Sequence, residues 1–168
     1  MADFKINDVT FASESGGVIS LSDANIFPKG HIVQTVTASS TQTIGTGSLS
    51  ANQWINTGLS VDITPKYNNS KIYLHHTVAI IVNDARYHGL RIQRTSPVLG
   101  TINAHYAYDD YSVWSTGLSA YTGFDMPNTL SQCTYMVQAY RQQGNMYWNY
   151  NGTGAGYIAN LIAMEIKE

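Results

Sequence analysis

The residues of this sequence that could perform acid–base or metal chemistry are few and scattered. His75 and His76 are adjacent in a segment with the alternation of a β-strand, so their side chains point to opposite faces and do not suit one metal ion. His88 and His105 have no cysteine or carboxylate at ligand spacing. We therefore predict structural or surface roles for these histidines, and no cofactor. One alternative stays open, a zinc ion on a threefold axis, where a single histidine would count three times.

The single cysteine, Cys133, cannot form a disulfide within the chain or a cysteine-based metal cluster. It precedes an apolar segment that resembles a β-strand, and a free cysteine in such a place behaves as a small hydrophobic side chain. We predict that Cys133 is buried and that it is not a nucleophile.

The carboxylates offer one candidate pair. Asp109 and Asp110 are adjacent and could bind a calcium ion or a sugar hydroxyl, but the Asp-x-Asx-x-Asx-Gly motif of calcium loops is absent, which favours a solvated turn. The glutamates all lie near the chain ends, so a glycosidase-type pair would need Asp109, Asp110 or Asp125 in a cleft. We predict that the protein is not an enzyme, with a polysaccharide-degrading enzyme as the alternative from another functional class.

The aromatic stretch between residues 106 and 124 is the best binding candidate. Tyrosine and tryptophan provide large, rigid contact surfaces at small entropic cost, and sugar rings present C–H faces that stack on them. Two interpretations compete: the stretch forms part of the core and of a trimer contact, or it forms an exposed receptor-binding surface. Its poor alternation favours loops at the tip of the domain. The candidate receptor-binding residues are Tyr106, Tyr108, Asp109, Asp110, Tyr111, Trp114 and Tyr121.

The composition favours strands and turns. Charged residues are 12% of the 168 residues, about half the usual ~25%, whereas 12 Tyr and 3 Trp are present. A hydrophobic content of 43% argues against disorder. The net charge is −2 and the nine Lys and Arg residues do not cluster, which argues against a nucleic-acid partner.

Strand signals follow one another at short intervals, and no segment has a helical period, so the sequence predicts an all-β sandwich or barrel. The strongest strand has Ile72, Leu74, His76, Val78 and Ile80 on one face.

The break at Phe27-Pro28-Lys29-Gly30 divides a thin N-terminal arm, residues 1–30, from a main domain, residues 31–168. The arm is too thin to build a core alone, so we predict that it serves attachment or trimerisation. Its candidate residues are Phe4, Ile6, Val9, Phe11, Val18 and Leu21.

The order of several short motifs resembles a domain of phage tail-fibre and other virion surface proteins, especially those of marine phages. Residues 27–36, FPKGHIVQTV, resemble the start of that domain. Residues 54–65, WINTGLSVDITP, followed by NSKI at residues 69–72, resemble its next segment, and TYMVQ and AMEI resemble its closing strands. The resemblance covers residues 15–168 except the stretch from Tyr106 to Asn128, which matches nothing in the family.

The strand order also resembles the jelly roll of the tumour-necrosis-factor type, and these two resemblances carry the functional expectations. They imply a jelly-roll β-sandwich, a homotrimer, and a tail-fibre or similar surface-appendage subunit of a phage virion that contacts the host receptor. A capsid decoration or head-fibre protein is the alternative within the same class. The implied partners are other virion proteins of the capsid or tail, and a host surface glycan.

The N-terminus has no basic region followed by an apolar run, and the longest apolar stretch, Val78–Val82, is too short to span a membrane. We expect no membrane insertion, and we expect a virion protein that is made in the host cytoplasm.

Overall fold

The computed structural model of the chain describes residues 2–6, 9–15, 18–21, 28–45, 51–83, 86–109, 115–150 and 157–168. Side chains are described from residue 28 onward, except for residues 86, 105, 108, 109, 115 and 116. These described ranges contain strands and no helix. The strands are β1 (Ala2–Ile6), β2 (Val9–Ser15), β3 (Val18–Leu21), β4 (Ile32–Ser40), β5 (Gln53–Ile63), β6 (Lys71–Asn83), β7 (Arg86–Ser96), β8 (Gly100–Asp109), β9 (Ser115–Asp125), β10 (Cys133–Arg141), β11 (Asn145–Trp148) and β12 (Ala159–Ile166).

The first three strands form a small antiparallel sheet in the order β1-β2-β3. All six candidate residues of the arm fall on these strands, but their side chains lie outside the described part of the chain. The attachment role of the arm, and its boundary at residue 30, therefore stay predictions.

The long strands form two antiparallel sheets. Sheet I has the order β4-β12-β6-β9, and sheet II has the order β5-β10-β7-β8. The short strand β11 continues the line of β12, because β9 already occupies the other edge of β6. Between β4 and β10 the chain crosses from one sheet to the other five times. It stays within one sheet once, at the β7–β8 hairpin. This two-sheet arrangement is the jelly-roll sandwich that the sequence predicted.

Alternating side chains of the two sheets fill the interior. On β6, Ile72, Leu74, His76 and Val78 are buried, whereas the residues between them are half-buried, which confirms the predicted faces up to Val78. Beyond Val78, Ile80 is half-buried against the core, and Ala79 and Ile81 of the opposite face are also buried. Cys133 is also buried, as predicted, at the start of β10. Full burial of a Leu or Ile side chain contributes roughly 1.5–3 kcal/mol each, so this interior supplies most of the stability.

The stretch that sequence reasoning assigned to loops is instead largely two long edge strands, β8 and β9. The inward positions of β9 explain the error, because Gly117, Ser119, Gly123 and Asp125 are small or polar and only Tyr121 is large. Without inward apolar residues the strand shows no apolar alternation. Its pairing with β6 over eleven residue pairs defines it instead.

Candidate functional site

Neighbouring strands of sheet II bring an aromatic row to its outer face. The register places Trp54 of β5 beside Tyr140 of β10. Gly89 of β7 then lies between Tyr140 and Tyr106 of β8. Because Gly89 has no side chain, the rings of Tyr140 and Tyr106 meet across it edge to face, with centroids 5.6 Å apart. The Trp54 ring completes a triangle, 5.5 Å from Tyr106 and 5.3 Å from Tyr140.

A polar row follows directly beside the aromatic one. The register aligns Asn56, Gln138 and Arg91 across three strands. Arg91 Nε donates to Gln138 Oε1 at 2.6 Å, and Gln138 Nε2 donates to Asn56 Oδ1. The guanidinium carbon of Arg91 lies 4.5 Å from the centroid of the Trp54 ring, so a cation–π contact joins the two rows. Burial lowers the pKa of Arg91 from its ordinary value.

We call these six residues, Trp54, Asn56, Arg91, Tyr106, Gln138 and Tyr140, the aromatic platform. Tyr106 is 51% exposed and Asn56 is exposed, whereas Gln138 is buried beneath them. The hydrogen bonds and ring contacts fix the side chains before any ligand arrives. The platform therefore offers flat apolar rings and oriented polar groups on one rigid sheet, which suits a ligand with both apolar and polar faces.

The predicted receptor-binding residues have different outcomes. Tyr106 lies on the exposed outer face, as the binding interpretation requires. Tyr108 and Asp109 lie on β8, where the register pairs Tyr108 with exposed Tyr87. The side chains of Tyr108 and Asp109 are not among those that the structure describes. Three further candidates, Asp110, Tyr111 and Trp114, lie outside the described residues.

Tyr121 is a correction to this set. It is 6% exposed and points into the sandwich, where its hydroxyl donates to the carbonyl of Leu90 at 2.5 Å. Tyr121 therefore belongs to the core, as the competing interpretation of the stretch had it, and not to an exposed receptor-binding surface. Sequence reasoning could not separate it from Tyr106, because that distinction depends on the register of β8 and β9.

Sequence reasoning missed Trp54, Arg91 and Tyr140 as site residues. They come from three separate strands, and only pairing brings them together. The available signal was alternation, since Trp54 and Asn56 share one face of β5, and Gln138 and Tyr140 share one face of β10.

The outer face of sheet I has a different character. We call the outward residues of its strands β6, β9 and β12, from the pair Tyr73–Phe124 to the pair Ile81–Thr116, the neutral face. None of these described residues is Asp, Glu, Lys or Arg between the paired positions Tyr73–Phe124 and Ile81–Thr116. The residues are Tyr73, His75, Thr77, Ala79, Ile81, Leu118, Ala120, Thr122, Phe124, Asn160, Ile162 and Met164.

Large apolar side chains protrude from the neutral face. Leu118 is 87% exposed and Phe124 is 56% exposed. Leu118 and Ala79 line a shallow depression together with exposed Tyr157 and Ile158. The end of the face is marked by the ion pair between Lys71 Nζ and a carboxylate oxygen of Glu168 at 2.6 Å.

Asp125, one of the carboxylates considered for catalysis, has a structural environment. Its Oδ2 accepts hydrogen bonds from Arg94 Nη1 at 2.5 Å and from the Tyr135 hydroxyl at 2.7 Å. Arg94 and Tyr135 belong to sheet II, so these bonds tie the end of β9 to the opposite sheet. Burial, and then the Asp125 carboxylate, raise the pKa of Tyr135.

Glu165 is a buried carboxylate that sequence reasoning dismissed as a terminal residue. Its Oε1 accepts from the backbone N–H groups of Lys66 and Tyr67 and from the Ser70 hydroxyl. Its Oε2 accepts from Gln34 Nε2 at 2.6 Å. Because four donors satisfy it, Glu165 fixes the turn between β5 and β6 to β12.

The histidine prediction is confirmed in its geometry. His76 is buried and His75 is half-buried on the opposite face of β6. Burial lowers the pKa of His76 to about 4, and its ring stacks on Trp148 with centroids 6.2 Å apart. Within the described residues, no three His, Cys, Asp or Glu side chains gather as a potential metal site. That described part also has no helix of the length and apolarity needed to cross a membrane.

No protein-family model and no curated protein matches this chain. Among solved structures, it is similar to the Eiger TNF of S. frugiperda, with 9% identity and a TM-score of 0.43 over 80% of this chain and 94% of that one. It is similar to the globular domain of zebrafish complement 1qA, with 10% identity and a TM-score of 0.38 over 79% and 95%. A third likeness is to the infectious bursal disease virus Gt strain structure, with 10% identity and a TM-score of 0.43 over 97% and 46%. At these scores, the jelly-roll assignment depends on the strand order above.

Proposed function

We propose that this chain is a homotrimeric structural subunit of a phage virion surface, and that the neutral face is its assembly interface. The observation that supports this assembly is the absence of charged residues from the described part of the neutral face between the pairs Tyr73–Phe124 and Ile81–Thr116, together with the protruding Leu118 and Phe124. Interface centres are depleted in charged residues, and contiguous exposed apolar patches mark interaction sites.

A second copy of the same chain is the occupant that fits this face. Closed symmetric homo-oligomers are the commonest assemblies, and three such sheets facing one axis would bury their apolar residues against one another. The threefold order comes from the resemblance to jelly rolls of the tumour-necrosis-factor type. The virion assignment comes from the resemblance of residues 27–36 and 54–72 to phage surface proteins.

Light scattering coupled to size-exclusion chromatography tests the assembly. The protein should elute as a particle of about 55 kDa, three times the 18.5 kDa chain. Leu118→Asp should give a folded monomer, because a carboxylate at the centre of the interface would be desolvated without a partner.

Tyr87→Asp is the matched control, since Tyr87 is 49% exposed on β7 of sheet II, the sheet opposite to the neutral face. It should remain trimeric. A wild-type monomer at micromolar concentration would contradict the assembly, and dissociation by both substitutions would contradict the assigned face.

Immunogold labelling of phage particles tests the virion assignment separately. Label on the tail supports a fibre or appendage subunit, and label on the head supports a capsid decoration or head-fibre protein. Particles without label would overturn the virion assignment without affecting the assembly result.

A further inference from the structure

We propose that the aromatic platform binds an acidic saccharide, with the sugar ring on Tyr106 and its carboxylate at Arg91, which lies over the Trp54 ring. This inference deepens the proposed function by naming a ligand class and a site for host attachment. It places that site on sheet II, away from the neutral face.

The aromatic rings supply the first element of recognition. The triangle of Trp54, Tyr106 and Tyr140 has centroid separations between 5.3 and 5.6 Å, so the rings support one another, and Tyr106 still leaves half of its surface to solvent. A pyranose ring presents a flat apolar C–H face that packs on such rings and replaces water there. A purely charged or purely polar ligand would leave this surface unused.

The guanidinium of Arg91 supplies the second element. Its Nε donates to Gln138, and four further N–H donors remain on the group. Among the side chains that the structure describes, no carboxylate lies within ion-pair distance of Arg91, whereas Arg94 and Lys71 each have one. Guanidinium matches carboxylate in planar, two-point geometry, so a uronic or sialic acid offers the complementary charge.

The side-chain amides supply the third element. Gln138 is buried and holds both Arg91 and Asn56 by hydrogen bonds, so the polar row is oriented without a ligand. Asn56 is exposed on the same face of β5 as Trp54, and because its Oδ1 accepts from Gln138, its amide N–H groups can donate to sugar hydroxyls. Prior ordering of the site reduces the entropy that binding must overcome.

Nuclear magnetic resonance titration of the full-length protein tests the proposal through the indole N–H signal of Trp54. The acidic probes are oligogalacturonate, oligomannuronate and sialyllactose, and their neutral counterparts are the two methyl esters and lactose. We expect at least one acidic probe to shift the Trp54 signal in a saturable way, and its neutral counterpart to bind at least about tenfold more weakly.

Trp54→Ala and Arg91→Gln should each weaken that binding about tenfold or more, and Arg91→Gln should also abolish the preference for the acid. Tyr67→Ala is the matched control, because Tyr67 also lies under a cation, with Lys167 Nζ 4.9 Å from its ring centroid, at the opposite end of β5. It should bind like the wild type.

Three results would overturn the proposal. They are no response of Trp54 to any acidic probe, equal affinity for acid and neutral counterpart, and an equal response to an acidic peptide of the same charge. The neutral face and its assembly experiment would stand under each of them, since none of the platform variants touches that face.

Discussion

The outer faces of the two sheets differ although both belong to one sandwich. The neutral face of sheet I carries Leu118 and Phe124 among small or uncharged neighbours. The aromatic platform of sheet II carries rings, amides and a guanidinium that hold one another in place. A surface without charge suits a permanent protein contact, whereas a preordered mixed surface suits a small polar ligand.

A substitution in the interior between these faces should have the largest effect on stability. Val78 and Thr77 are neighbours on β6, with Val78 buried in the core and Thr77 on the neutral face. Val78→Asp should lower the free energy of unfolding by roughly 3–5 kcal/mol and prevent folding, because the buried carboxylate has no partner. Thr77→Asp should fold and lose assembly. Circular dichroism and light scattering separate the two, and a folded Val78→Asp would show that the faces of β6 are assigned wrongly.

The buried and outward faces of β6 should also differ in how their histidines, His76 and His75, affect stability at low pH. The pKa of His76 is about 4 in the folded protein and 6.5 in an unfolded chain, so the unfolded state takes up a proton first as the pH falls. Stability is therefore lost as the pH falls from about 6.5 to about 4, by about 3 kcal/mol. Urea unfolding across this range should show a smaller loss for His76→Gln, whereas His75→Gln on the outer face should behave like the wild type. If the free energy of unfolding fell equally with pH in the wild type and in His76→Gln, the loss of stability in acid would not come from His76.

The bond network of Asp125 couples the two sheets, so its removal should weaken both outer faces together. Asp125→Asn should lower the free energy of unfolding by about 2 kcal/mol, because it removes charge from the bonds to Arg94 and Tyr135. Asp62→Asn is the control, since Asp62 is exposed and accepts one bond from Thr134. That control should change stability by less than about 0.5 kcal/mol. Thermal unfolding measures both, and an equal effect of the two substitutions would remove Asp125 from this coupling role.

The smallest expected loss of stability comes from a substitution within the aromatic platform. Arg91→Met keeps the aliphatic stem over Trp54 and removes the cation, so we expect a loss of about 1 kcal/mol and an unchanged assembly mass. Chemical unfolding and light scattering give the two values. Loss of the trimer by this substitution would mean that the two faces do not act separately.

The sequence predicted the sandwich well where one face of a strand carries the apolar signal, as on β6. It failed on β8 and β9, because Gly117, Ser119 and Gly123 occupy inward positions and conceal the alternation. The binding candidates were drawn from one contiguous aromatic stretch, and of these only Tyr106 is described on the platform. The other members are distant in sequence and meet only through strand register, which a single sequence does not specify.

Hydroxyl-radical footprinting of the assembled protein compares the solvent exposure of the neutral face and of the aromatic platform in one sample. We predict that Leu118 and Phe124 are protected from oxidation in the wild type, and that Phe124 is oxidised in the Leu118→Asp variant. Trp54 and Tyr106 should be oxidised to the same extent in both proteins. Protection of Trp54 and Tyr106 together with full reaction of Leu118 in the wild type would mean that the aromatic platform, and not the neutral face, forms the assembly contact.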